Sequence, residues 1–216
     1  MPERLLVIGN RNYSSWSLRP WLLLRQLGLP FTEERIALDQ PDTKARILAR
    51  SPAGRVPVLI EDELGVWESL AIIEHVADAN NAVWPTEPAT RAMARSISAE
   101  MHGGFTALRN ELPMNVRAAG RKVRTSPAAD ADIARIKAIW SSAREAHGAA
   151  GPWLLGAFSA ADAMFAPVAS RFRTYGIDLP DALAQWQRTV LECAAMQEWA
   201  TAARAEAEVI EHEEVG

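Results

Sequence analysis

A chain of 216 residues, 49% of them hydrophobic, is long enough to bury one large core or two small ones. Its formal net charge of -4, with no block of like charge, leaves no electrostatic footprint for nucleic acid or for an anionic membrane surface, so small molecules or another protein are the expected partners. The single cysteine, Cys193, excludes an intrachain disulfide, a CxxC redox pair and a thiolate metal site; thiol chemistry would need a sulfur from another molecule.

No apolar stretch approaches the ~18–20 residues that a bilayer requires. Met1-Pro2-Glu3-Arg4 runs straight into Leu5-Leu6-Val7-Ile8 without a long apolar leader, and a cytoplasmic protein with no membrane partner is expected. Arg4 to Ile8 reads as a buried strand, Leu18 to Leu27 as a helix stopped by Gly28 and Pro30, and Phe31 to Leu38 as a second strand, which makes a βαβ opening. A short helix from Asp42 to Ala49 follows, then a strand from Val56 to Glu61, a turn from Asp62 to Gly65, a strand at Val66-Trp67 and a helix from Ser69 to about Ala79. Past Asn80-Asn81, Pro85 and Pro88 the composition becomes alanine-rich and loses any period of two. Helices are predicted at 89–111, 128–147, 159–174, 181–192 and 195–209, and the acidic end Glu211 to Glu214 as a solvated tail.

Three stretches carry chemistry. In Tyr13-Ser14-Ser15-Trp16-Ser17-Leu18-Arg19-Pro20 three hydroxyls crowd the first turn of a helix, whose free N–H groups and positive dipole end favour an anion. Helix capping accounts for the same residues, with Pro20 in the first turn. Arg55-Val56-Pro57-Val58-Leu59 puts a proline at the mouth of a strand, as an edge position or a cis turn allows. A cis bond would turn the Val56 backbone outward, where its N–H and C=O can pair with an extended peptide. In Trp67-Glu68-Ser69-Leu70-Ala71-Ile72-Ile73-Glu74 an acid and a hydroxyl open an amphipathic helix; together they suit an α-amino acid end, the hydroxyl and helix N–H groups taking the carboxylate and Glu68 the ammonium. An N-cap beside a surface acid is the plainer reading of that pair.

In this order, SSWS, VPVL and ESLAIIEH, the sequence resembles cytosolic glutathione transferases over nearly its whole length. The resemblance implies an α/β plus all-α fold: a thioredoxin-like glutathione-binding N-terminal domain over residues 1–81 and an all-helical C-terminal domain over 88–216. Ser14-Ser15-Trp16-Ser17 is most similar to the SSCS stretch of the zeta class, which includes maleylacetoacetate isomerases. Trp16 stands where those have cysteine, a departure that bears on isomerase and not on transferase activity. Gly156-Ala157-Phe158-Ser159-Ala160-Ala161-Asp162, with an N-cap and its N3 partner at Ser159 and Asp162, resembles the buried capping box of that fold.

The implied chemistry uses the sulfur of glutathione, a co-substrate, as nucleophile toward a small electrophile. A free thiol has a pKa of about 8.5, and lowering it by two units amounts to about 2.7 kcal/mol of differential stabilisation. Ser14 is the expected hydroxyl donor by its zeta-like position, with Ser15 second and Tyr13 third. The resemblance assigns Val56, beside Pro57, to the cysteinyl backbone, Glu68 and Ser69 to the γ-glutamyl end, Arg55 nearby and Lys44 to the glycine carboxylate. The second substrate is expected against Met101, His102, Phe105 and Arg109 and the turn Pro113-Met114-Asn115, although Met101 and Phe105 also suit a core and Arg109 a surface ion pair. His75, His147 and His212 lack metal-ligand spacing, and no metal is expected. The resemblance further implies a homodimer. A glutathione-dependent isomerase or dehalogenase, or a non-catalytic binding protein of the same fold, are the alternatives.

Overall fold

A computed structural model describes residues 3–216; Met1 and Pro2, which open the lead-in discussed above, lie outside them. Strand β1 (Arg4–Ile8) leads to helix α1 (Ser15–Gln26), β2 (Thr32–Arg35), α2 (Thr43–Leu48), the hairpin β3 (Val58–Glu61) and β4 (Leu64–Trp67), and α3 (Ser69–Ala79). The sheet runs β2-β1-β3-β4, with β1 parallel to β2 and antiparallel to β3, and β3 antiparallel to β4. This is a thioredoxin-like arrangement. Among the described residues eight helical segments follow: α4 (Pro88–Gly103), α5 (Thr106–Glu111), α6 (Pro127–His147), a 3-10 turn at Gly148–Ala150, α7 (Ala160–Thr174), α8 (Asp181–Glu192), α9 (Ala194–Ala205) and a second 3-10 turn at Glu211–Glu213.

The unbroken apolar run of β1 has a packing cause. Leu6 and Ile8 join the main core, whereas Val7 points to the opposite face and packs with Ile36, Ile47 and Val58 under α2. Helix α1 is likewise covered on several sides, by α3 and by α7 and α9 of the helical half. Trp21 meets Trp199 of α9 at 5.0 Å between ring centroids, so one hydrophobic core runs through both halves.

Several boundaries differ from the sequence reading. Helix α1 begins at Ser15, not Leu18, because Ser14 caps it; Pro20 therefore lies inside the helix and offers no N–H to the Trp16 carbonyl. Strand β2 stops at Arg35, and the β3–β4 turn is confined to Asp62 and Glu63. The single helix expected over 89–111 is two, broken at Gly104 and at Phe105, which is left-handed at φ 60°. A Cβ on Gly104 would lie 2.8 Å from the Glu100 carbonyl oxygen, so the break requires glycine there.

The acidic end is not a solvated tail. Helix α9 stops at Ala205, and the chain returns across the β1–α1 loop as a strap ending in a 3-10 turn at Glu211–Glu213. The Glu206 carboxylate accepts the backbone N–H groups of Arg11 (2.8 Å) and Asn12 (3.1 Å), and Arg117 donates to the carbonyls of Glu206 and Glu208. Glu214 accepts from the Tyr13 hydroxyl (2.6 Å), from Asn115 Nδ2 (2.8 Å) and from Arg121. Arginines scattered through the sequence thus neutralise the run.

Candidate active site

The β1–α1 loop delivers the hydroxyls to the start of α1. Ser17 Oγ accepts the Gly9 N–H at 3.1 Å, and Ser14 Oγ donates to Ser17 Oγ at 2.7 Å while accepting the Ser17 N–H at 3.4 Å. The Ser14 proton is therefore engaged inside the turn. Ser15 differs: its oxygen accepts from Arg171 Nη2 of α7 at 3.3 Å, which leaves its own proton free to be donated. Both serines are nearly buried and border a cavity of about 540 Å³, whose walls also include Arg171, Arg109 and, from the strap, Ile210 and Glu213.

A second cavity of about 430 Å³ adjoins it, and Trp16, Arg55, Val56 and Arg109 border both. The Val56-Pro57 peptide is cis, and the pairing of β3 with β1 begins only at Val58, so Val56 stands outside the ladder at the cavity edge. At the other end Glu68 has a left-handed backbone, φ 70°, and precedes α3 without capping it through its side chain. Ser69 is buried, and its hydroxyl has no hydrogen-bond partner among the described residues. His102 Nε2 lies 3.6 Å from Glu68 Oε2.

The electrostatics are strongly positive. Arg19 is wholly buried, donates from Nε to the Met164 carbonyl at 3.3 Å and lies 4.1 Å from the Trp16 ring centroid. Burial, and after it Arg171 and Arg109, hold its pKa well below the usual arginine value. Arg109, tethered to the Gly104 carbonyl, approaches the same ring at 5.5 Å, and His102 meets the ring edge at 5.3 Å. The Trp16 indole thus separates three cationic or titratable groups that would otherwise face one another. Burial lowers His102, with Arg19 and Arg109 adding to the effect and Glu68 opposing it. Arg171 is pushed down to about 10, first by burial; Glu213 opposes that shift and Arg109 adds to it.

Of the residues singled out in the sequence, Ser14, Ser15, Arg55, Val56, Pro57, Glu68, Ser69, His102 and Arg109 border these two cavities. Lys44 does not; it is exposed on α2. Met101 is fully buried and Phe105 nearly so, and neither reaches a cavity wall; both are core residues, because the α4–α5 break turns that face into the helical packing. His102 faces Glu68 and Ser69 rather than the cavity beside the serines. Arg171 was missed. The available clue is a lone arginine in the buried run Met164 to Phe172, where an unpaired charge is costly. Among the described residues no group of histidines, cysteines or carboxylates is arranged to hold a metal, and no helix is long and apolar enough to cross a membrane.

Residues 13–79 match the family described as "Glutathione S-transferase, N-terminal domain". A probable maleylacetoacetate isomerase of Caenorhabditis elegans is 31% identical over 102 residues, covering 46% of this chain and 47% of that protein, so the chain spans about half the length of this curated relative. A glutathione transferase homologue from Burkholderia gl BGR1, solved with bound glutathione, superposes with a TM-score of 0.72 at 22% identity, covering 94% of this chain and all of that one (100%). The theta class glutathione S-transferase of the citrus canker pathogen Xanthomonas axonopodis pv. citri, also solved with glutathione bound, gives 0.62 at 25% identity over 93% of this chain and 98% of that one. Residues 13–79 are thus similar to the glutathione S-transferase N-terminal family, and the fold of nearly the whole chain is that of these solved structures.

Proposed function

We propose that the protein is a glutathione transferase that binds the tripeptide in the smaller cavity and activates its thiol at the start of α1. The observation that carries this reading is the Ser15 hydroxyl: its oxygen is held by Arg171, its proton is free, and it opens on the cavity wall shared with Val56. Val56 suits the cysteinyl backbone, and Glu68 with the unpartnered Ser69 hydroxyl suits the γ-glutamyl ammonium and carboxylate. Residues 1–81 then form the glutathione domain and 88–216 the helical domain, in a cytoplasmic homodimer.

In the reaction the thiol proton leaves to solvent and the thiolate accepts a hydrogen bond from Ser15, with Ser14 as the alternative donor. The helix N-terminus and the Arg171 guanidinium favour the same negative charge. The sulfur then attacks the electrophilic carbon, and the carbon–sulfur bond forms as the leaving group departs with its electron pair. No proton passes through serine as a base; the hydroxyl lowers the thiol pKa.

A second reading, glutathione-dependent cis–trans isomerisation, is favoured by the guanidinium groups of Arg171 and Arg109 on the electrophile side, which suit a carboxylate-bearing substrate. The ultraviolet absorbance of the bound thiolate against pH tests the main reading in the parent, Ser14→Ala and Ser15→Ala. A lowered thiol pKa that Ser15→Ala raises toward the free value, with glutathione affinity retained, is the expected result. Absence of glutathione binding would replace enzyme by scaffold.

A further inference from the structure

The strap brings a carboxylate into the cavity that the transferase reading gives to the second substrate. Glu213 stands on the 3-10 turn Glu211–Glu213 and borders the cavity with Arg171. Its position is fixed from both sides: Glu213 N–H bonds the Ile210 carbonyl at 2.9 Å, Ile210 is buried, and the next residue, Glu214, is tied to Tyr13, Asn115 and Arg121. Among the described residues the carboxylate makes no ion pair with a guanidinium; the one basic side chain within 4.0 Å is the His212 imidazole, through Nε2.

Arg171 is the complement. It is only 3% exposed, Nε is taken by the Leu112 carbonyl at 2.7 Å and Nη2 by Ser15, while Nη1 has no hydrogen-bond partner among the described residues. A buried guanidinium with a free edge attracts an anion. Arg55, Arg109 and Arg171 stand on one side of the charge balance of this cavity and Asp39 and Glu213 on the other, with the His212 imidazole also in the wall. Of the two carboxylates, Glu213 is the one whose charge bears on Arg171.

We propose that Glu213 is a charge-selecting residue for the second substrate: bordering the same cavity as Arg171, it partly neutralises that guanidinium and repels electrophiles carrying their own carboxylate, while leaving uncharged ones unaffected. The inference rests on the transferase reading for the words "second substrate", and only for those. The cavity and the two charged groups that border it stand without it. An anion entering beside Arg171 meets Glu213 at the same time, so selection acts on charge and on where along the molecule the charge sits.

The test uses 3,5-dinitrobenzoate and its methyl ester, which differ in charge at one end and lack a leaving group. Calorimetry on the full chain compares the parent, Glu213→Gln and, as a control on the same turn but outside the cavity walls, Glu211→Gln. Glu213→Gln is expected to tighten the anion about tenfold, as for a partly screened charge pair, and to leave the ester within about twofold. Glu211→Gln leaves both probes unchanged. In turnover, 4-chloro-3,5-dinitrobenzoate should gain in kcat/KM by the same factor, its carbon–chlorine bond breaking to release chloride as the carbon–sulfur bond to glutathione forms. Equal anion affinities in parent and Glu213→Gln, equal gains for anion and ester, or no anion binding to either protein would overturn the proposal. Failure of the parent to bind glutathione, with the anion shift intact, would remove the transferase reading and leave the Glu213 selectivity standing.

Discussion

Arg171 Nη2 donates to Ser15 Oγ at 3.3 Å, joining the seventh helix to the first turn of the first. The contact fixes both the orientation of the hydroxyl and the positive field around it. A lysine at this position keeps the charge but loses the planar fork that serves Leu112 and Ser15 together. Arg171→Lys should therefore raise the pKa of bound glutathione and lower kcat about tenfold to a hundredfold, with the dissociation constant for glutathione changed less than threefold. Thiolate absorbance and steady-state kinetics separate these effects.

Glu214 closes the strap. Although burial would raise its pKa, the bonds from Tyr13, Asn115 and Arg121 outweigh that and lower it below the usual value of 4.5. A depressed carboxylate stabilises above its unfolded pKa and loses that contribution as pH falls through the folded one. The strap should hold at neutral pH and loosen progressively as the pH falls below the ordinary carboxylate value of 4.5. Glu214→Ala should release it at all pH values, at a cost of about 1–3 kcal/mol, read as faster proteolysis after Ala205.

Asp162 behaves oppositely. Its carboxylate accepts from the N–H of Leu154 (2.8 Å), from the N–H of Ser159 (3.0 Å) and from Trp186 Nε1 (2.9 Å), yet complete burial raises its pKa to about 6 from 3.8. The protonated folded form binds a proton that the unfolded chain has lost between those values, so its stability contribution is full below pH 4 and is lost as pH rises through about 6. Asp162→Asn presents an NH2 group to one of these donors and should destabilise. The gap between parent and variant should narrow by about 2 kcal/mol from pH 4 to pH 6, measured by urea unfolding.

Gly104 permits the α4–α5 break that sets Arg109 over Trp16. Gly104→Ala forces a Cβ onto the Glu100 carbonyl, 2.8 Å away, and should cost about 1–3 kcal/mol while raising KM for the electrophile as Arg109 shifts. Chemical denaturation and kinetics on the same variant check both.

Local pattern carried much of this. The run Leu5 to Ile8 announced β1, Pro57 before a strand announced the turn that sets Val56 apart, and Ser159 with Asp162 announced the α7 cap, because each depends on neighbours a few residues away. Apolar periodicity starts at Leu18, but the turn before it is held by hydroxyl bonds among Ser14 and Ser17, which periodicity does not register. Gly104 ends the first half of the run predicted as one helix over 89–111, where helix formers stand on both sides. The pairing of Arg171 with Ser15 was not legible, since the two stand 156 positions apart in the chain. Nor was the strap, whose acidic run looks solvated until Arg117 and Arg121 are brought beside it by folding.

Trp21 against Trp199 gives the protein's architecture a final implication. The helix at whose start Ser14 and Ser15, the proposed hydrogen-bond donors, stand is the same one that welds the sheet to the helical half, so it serves as hinge pin as well as tool holder. Sequence drift on α9, far from any ligand, would tilt that pin and re-aim Ser15 without touching the site itself. Variation in such remote packing residues is thus a route by which a chain of this design can retune its chemistry while every residue of the pocket stays the same.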